Sequence, residues 1–156
     1  MAYRPLGEVF VFIFFGLVAV GGSYYLQTLT LTPVVLTAAT LVGLHAAAVI
    51  TVNNYRDRDG DARNGKNTLA VLLGRPATRH LYSAEMLAPF ALLPLLAGSL
   101  GWLAALPLLA LPLPLAIRLN RRFRHEAPGA IFNNILAATA GLQLVFALLL
   151  ALAFTI

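Results

Sequence analysis

The sequence predicts an all-α membrane protein, a bundle of about five transmembrane helices, on three observations. Of its 156 residues, 60% are hydrophobic and 11% are charged, whereas a soluble domain carries about a quarter charged residues. Apolar runs of spanning length, about 20 residues, recur along the chain. The basic residues are not spread over a face but confined to the N-terminus and two connecting segments. Inside lipid every backbone polar group must be satisfied locally, which a helix does. The net charge of +5 is therefore a topology signal and not a nucleic-acid footprint. With no cysteine, disulfides, thiolate metal sites and a cysteine nucleophile are excluded.

Five segments form the bundle: 8–27, 33–52, 80–100, 102–117 and 130–154. The first has one basic residue before it and an apolar stretch too long for a signal peptide, so it reads as a retained anchor. The second runs without a breaker into a polar segment. The fourth carries Pro107, Pro112 and Pro114, which predict a kinked or broken helix. The fifth has no charge. Arg4 precedes the first segment. Arg56, Arg58, Arg63, Lys66, Arg75 and Arg79 lie between the second and third, and Arg118, Arg121, Arg122 and Arg124 between the fourth and fifth. Basic residues stay on the cytoplasmic side, so the N-terminus is expected to be cytoplasmic and the C-terminus outside, in the cell (inner) membrane. No repeat or flexible linker divides residues 1–156, and one bundle is the simplest description.

The chemistry concentrates in Asn53–Thr68, which holds three of the six carboxylates and four of the eleven Lys/Arg. Carboxylates at that density repel one another unless a cation sits among them. If the second helix continues, Asn53, Asp57 and Asp61 are spaced by four and share a face, with Asn54 three before Asp57. Asp59 lies about 200° round from Asp57 and need not share it. Asp57 and Asp61 then suit one hard, oxygen-loving cation. Mg²⁺ takes one or two carboxylates and completes its shell with phosphate oxygens. Gly60 and then Asn64–Gly65 predict the start of a loop. Two decoys fail here. An EF-hand starting at Asp57 needs Gly and Glu where Ala62 and Thr68 stand, and a P-loop needs Ser or Thr where Asn67 follows Lys66.

The run Asn53-Asn54-x-Arg56-Asp57-x-x-x-Asp61-x-x-x-Gly65-Lys66-x-Thr68-Leu69-Ala70-Val71-x-Leu73-Gly74 resembles the second Asp-rich motif of the UbiA-type intramembrane prenyltransferases. Tyr3-Arg4-Pro5-Leu6-Gly7-Glu8, Phe14-Phe15-Gly16 and Gly22-Ser23-Tyr24-Tyr25-Leu26-Gln27 are similar to the family's preceding segment. The likeness is greatest to members acting on 1,4-dihydroxy-2-naphthoate in menaquinone biosynthesis. It covers essentially all 156 residues but corresponds to the C-terminal five of the family's nine spans. The first Asp-rich motif is absent, because Glu8, Glu85 and Glu126 are isolated. The resemblance thus implies a truncated product, a fragment or a misassigned start, inactive alone. It would need a complementary N-terminal half, and the helix faces that half would cover would favour association, homo-oligomers included.

What the resemblance implies for the site is specific. Asp57 and Asp61 would be catalytic metal ligands for Mg²⁺. Asn53 and Asn54 would support them, and Lys66, Arg56 and Arg63 would meet the pyrophosphate of a polyprenyl pyrophosphate. An aromatic acceptor would then take the prenyl group, with the tail held among apolar helices.

Elsewhere, His45 is expected to make a helix-facing hydrogen bond and Glu85 to pair with Arg79 or Arg75. Asn133, Asn134 and Gln143 are expected to join helices. Glu8 reads equally as an interfacial acid or as a contact in the chamber, and His125 and Glu126 as solvated residues. Tyr24, Tyr25 and Trp102 read as interfacial aromatics. The competing function is a non-enzymatic cation carrier or channel subunit, which should place ionisable groups near mid-membrane. A non-functional fragment is the third reading. Nucleic acid is not an expected partner.

Overall fold

The computed structural model describes residues 5–100 and 106–154, which contain helices and no strand. The helices are α1 (Gly7–Thr28, wound in wider π-type turns from Phe12 to Gly22), α2 (Pro33–Arg63), α3 (Leu69–Leu100), α4 (Leu106–Ala110), α5 (Leu113–His125) and α6 (Ile131–Ala153). Among the described residues, α1, α2 and α6 are long and apolar enough to cross a membrane.

Local chemistry sets the ends of these helices. Thr32 caps α2, its hydroxyl accepting from the Val35 amide at 3.3 Å, with Pro33 at the first helical position, where its missing N–H costs nothing. Gly60 does not end α2. The helix continues to Arg63 and closes where Gly65 takes a φ of +69°. There the Lys66 amide donates to the Asp61 carbonyl at 2.9 Å and the Gly65 amide to Ala62 at 3.2 Å, a Schellman closure. Thr68 then caps α3 through the Val71 amide at 3.3 Å.

Two of the five expected spans differ in extent. Segment 80–100 is the later part of α3, which begins at Leu69 and breaks direction at Gly74 (φ +72°, ψ +170°). Segment 102–117 is not one helix. Its described part is α4 and the start of α5, interrupted at Leu111–Pro112, because a proline cannot donate to the preceding turn and crowds its carbonyl. The basic segment after it is helical too, since α5 runs on to His125. Trp102 lies outside the described residues.

Packing joins α1 and α2 antiparallel, with Glu8 against Asn54 at one end and Gly16 against Gly43 further along. A Cβ added at Gly16 would sit 2.6 Å from the Ala39 carbonyl oxygen and 2.7 Å from the Gly43 Cα. Such small-residue contacts let helices approach where lipid gives no hydrophobic drive. Gly16→Val is expected to destabilise the protein by about 1–3 kcal/mol, read as a lower unfolding midpoint in detergent. An unchanged midpoint would remove this contact from the packing account.

The interior is aromatic. Tyr55, Tyr82, Phe123 and Phe132, all fully buried, stack at the end of the bundle where α2 becomes polar. Their ring centroids lie 4.0 Å apart for Tyr82–Phe123, 4.6 Å for Tyr55–Phe123 and 5.2 Å for Tyr55–Phe132. The Tyr82 hydroxyl meets Thr139 Oγ1 at 2.9 Å. Deeper along the helices, His45 sits between Phe90 (5.5 Å) and Phe146 (4.6 Å). The backbone of Met86 on α3 is the polar group that acts on its ring, with aromatic packing around it. Asn133 near the start of α6 reaches Arg56 and Phe146 reaches His45, so α6 also runs antiparallel to α2.

Candidate active site

The apolar stretch 33–52 of α2 gives way to a polar head, 53–63, in the same unbroken helix. Continuity of the helix puts Asn53, Asp57 and Asp61 on one face, as their spacing requires. Each aspartate of the motif has a basic partner. The Arg56 guanidinium grips Asp57 through two bonds of 2.7 Å, Nε to Oδ1 and Nη2 to Oδ2. Its remaining reach goes to Asn53 Oδ1 and Asn133 Oδ1, both at 2.8 Å. Lys66 Nζ stands 3.3 Å from Asp61 Oδ1 and its charge also acts on Asp57. Asp59 faces elsewhere, held by Arg58 at 2.8 Å and by Arg75 of α3 at 2.7 Å. Within the chain, the counter-charge on these aspartates comes from arginine and lysine.

The Arg56 fork holds the Asp57 carboxyl below its ordinary range, and Arg75 does the same for Asp59. A depressed carboxylate stabilises the fold above its unfolded pKa of about 4, and that contribution is lost as pH falls through the lower folded value. Arg56→Gln is therefore expected to flatten the fall in unfolding midpoint on acidification below about pH 4, measured beside the parent chain. Equal pH profiles would contradict this.

The expected ligand residues fall into separate environments. Asp61 is buried beside Lys66, while Asp57 is half-exposed. Asn54 turns away from the Arg56 network, and its amide Nδ2 donates to Glu8 Oε1 at 2.9 Å in a buried contact. Arg63 is exposed and meets no acid among the described residues. Glu8, read equally as an interfacial acid or a chamber contact, lies at the end of α1 against Asn54. It is buried, and its Oε2 lacks a partner. Glu85 does not pair with Arg79 or Arg75, because Arg79 donates to the Tyr55 hydroxyl at 2.9 Å and Arg75 to Asp59. It is buried instead, also with an unpartnered Oε2. Asn133 joins helices as expected. Gln143 lines a cavity, and Asn134 is exposed.

That cavity adjoins the polar head. About 400 Å³ of space lies between α1, α2 and α6, lined by Val11, Phe15, Val49, Ile50, Leu136 and, at its polar end, Asn53. A second, separate space of about 360 Å³ lies between the same helices toward their other end, where Tyr24 lines it. A long apolar ligand could therefore lie along the face of α2 with its polar end at Asn53, one hydrogen bond from Arg56.

No group of three or more acidic or histidine side chains that would cage a metal occurs among the described residues. Two carboxylates on successive turns still match the protein donors Mg²⁺ uses when a phosphate completes its shell. For that, Asp57 must share or release the Arg56 fork.

Comparison with known proteins identifies the family. The chain is 39% identical over 154 residues to 1,4-dihydroxy-2-naphthoate octaprenyltransferase of Mycobacterium leprae (strain TN), covering 99% of this chain and 51% of that protein. The protein of the same name from Escherichia coli (strain K12) is 37% identical over 152 residues, 86% of this chain and 48% of its own length. UbiA prenyltransferase domain-containing protein 1 of Homo sapiens is 34% identical over 94% of this chain and 41% of its own. The chain spans about half the length of the curated relatives it matches. No solved structure matches significantly. The profile of the UbiA prenyltransferase family matches residues 1–140, and the chain belongs to that family.

Proposed function

We propose that this chain carries the second Asp-rich half of a site that transfers a polyprenyl group from its pyrophosphate to an aromatic acceptor, 1,4-dihydroxy-2-naphthoate, for menaquinone biosynthesis. The observation that carries the reading is the apolar cavity ending at Asn53, beside the Arg56–Asp57 pair and on the face that leads to Asp61 and Lys66. It joins a place for a hydrocarbon tail to a place for a polyanion.

Asp57 and Asp61 would hold Mg²⁺, which supplies charge neutralisation of the pyrophosphate as the allylic C–O bond breaks. Lys66 meets the departing pyrophosphate as a point charge, and Arg63 is free to add another. Arg56 sets the orientation of Asp57 and Asn53 through its four hydrogen bonds. The apolar lining excludes water, which would otherwise capture the allylic cation before the electron-rich acceptor carbon does. The acceptor's carboxylate leaves as carbon dioxide. The polar head of α2 faces the cytoplasm in this reading, following the basic residues.

These 156 residues hold one Asp-rich motif, and one aspartate pair is a weak cage for a metal–pyrophosphate complex. Membranes containing the chain, supplied with Mg²⁺, polyprenyl pyrophosphate and dihydroxynaphthoate, are expected to give background product. Co-expression of a helical half bearing the first motif is expected to give product that Asp57→Asn abolishes. Product from the chain alone that Asp57→Asn removes would refute the need for a partner. Product indifferent to Asp57 would refute the site.

A cation-carrier reading gains one observation: Glu8 and Glu85 are buried acids, each with an unpartnered Oε2, and buried acids within a bundle are functional candidates. Sodium or proton flux into proteoliposomes, abolished by Glu85→Gln, would favour it over prenyl transfer.

A further inference from the structure

We propose that the outer face of α5 is a binding site for the phosphate headgroups of anionic phospholipids. The helix divides in two ways. Around its axis, Ala116, Leu119 and Phe123 are buried against the bundle. Arg118, Arg121 and His125, at i, i+3 and i+7, share the opposite, exposed face. Along its axis, exposed Leu115 and Ile117 precede the basic row. An apolar first half followed by a basic last half is the profile of a helix whose start lies among acyl chains and whose end lies among headgroups, where arginine stems can extend along lipid.

The arginines here differ from those of the acidic motif. Arg56, Arg58, Arg75 and Lys66 each meet an aspartate. Arg118 and Arg121 meet no acid among the described residues, and Arg122 has only a 3.9 Å contact with Glu126. Their charge is left for something outside the chain. Its height is fixed as well: Arg124 reaches Ser83 of α3 at 3.4 Å, and Ser83 bonds Asn120 at 2.7 Å. Ser83 lies one turn beyond Arg79, which holds Tyr55 in the polar head of α2. The basic row therefore sits at the end of the bundle where the apolar stretch of α2 stops. A juxtamembrane cluster of arginines at that level attracts anionic lipid by roughly fivefold per residue.

The test uses the purified full chain in nanodiscs of phosphatidylcholine doped with phosphatidylglycerol, with retained lipid measured by native mass spectrometry. The parent chain is expected to retain phosphatidylglycerol over phosphatidylcholine. Arg118→Gln/Arg121→Gln/Arg122→Gln should lower that preference at least about tenfold, while the same three positions as lysine keep most of it. Circular dichroism in pure phosphatidylcholine establishes that the variant is folded, and Arg118→Gln alone provides a milder second variant. An unchanged preference in both variants overturns the proposal. So does loss of retained lipid on adding millimolar inorganic pyrophosphate, which would mark the row as a site for the free anion.

Discussion

Asp57→Asn is expected to weaken divalent-cation binding by the chain, in the presence of pyrophosphate, at least about tenfold. Loss of even an outer partner costs a metal site that much, and Asp57 is one of only two carboxylates on its face of α2. The substitution keeps the size of the side chain, and its amide oxygen can still accept one of the two bonds that Arg56 donates to Asp57, so the fold should persist. Mn²⁺ binding followed by electron paramagnetic resonance reads the effect directly. Asp59→Asn is the control, because Asp59 is turned toward Arg58 and Arg75 and should change binding little. Equal losses in both variants would mean that the motif attracts cations only by its summed charge.

Tyr55→Ala is expected to cost about 3–5 kcal/mol, the range for removing a large buried aromatic. Tyr55 lies one helical position from the Arg56 network yet faces inward, fully buried against Phe123 and Phe132. The guanidinium of Arg75 lies 5.1 Å from its ring centre and that of Arg79 5.9 Å. Its hydroxyl accepts from Arg79 at 2.9 Å. The residue therefore links the polar head of α2 to α3, α5 and α6 at once. Tyr55→Phe keeps the ring and loses the hydroxyl, so it should cost about 1–2 kcal/mol. Unfolding of both variants in mixed micelles separates the two contributions. Equal costs would mean that the hydrogen bond, not the packing, holds this end together.

Much of this architecture is legible in local sequence. Thr32-Pro33 marks the start of α2 and Asn64-Gly65 its end, because capping and left-handed closure are properties of a few adjacent residues. The three prolines of 102–117 foretell an interruption for the same reason. The site is less legible. The density of aspartates is plain in the sequence, but that Lys66 pairs with Asp61 and Arg75 with Asp59 is not. Pairs such as Glu8–Asn54 and Arg56–Asn133, 46 and 77 residues apart, leave no periodic trace. Glu85 was assigned a partner by proximity in sequence, whereas the arginines of its own helix are drawn to α2.

A photoreactive prenyl pyrophosphate, with its crosslinking group on the tail, tests the central claim most directly. With Mg²⁺ present, labelling is expected on Phe15, Val49, Ile50 and Leu136, and it should fall away with chelator or in the Asp57→Asn variant. Labelling spread over the outward faces of α1 and α6, or labelling of the cavity that neither chelator nor Asp57→Asn reduces, would contradict the account.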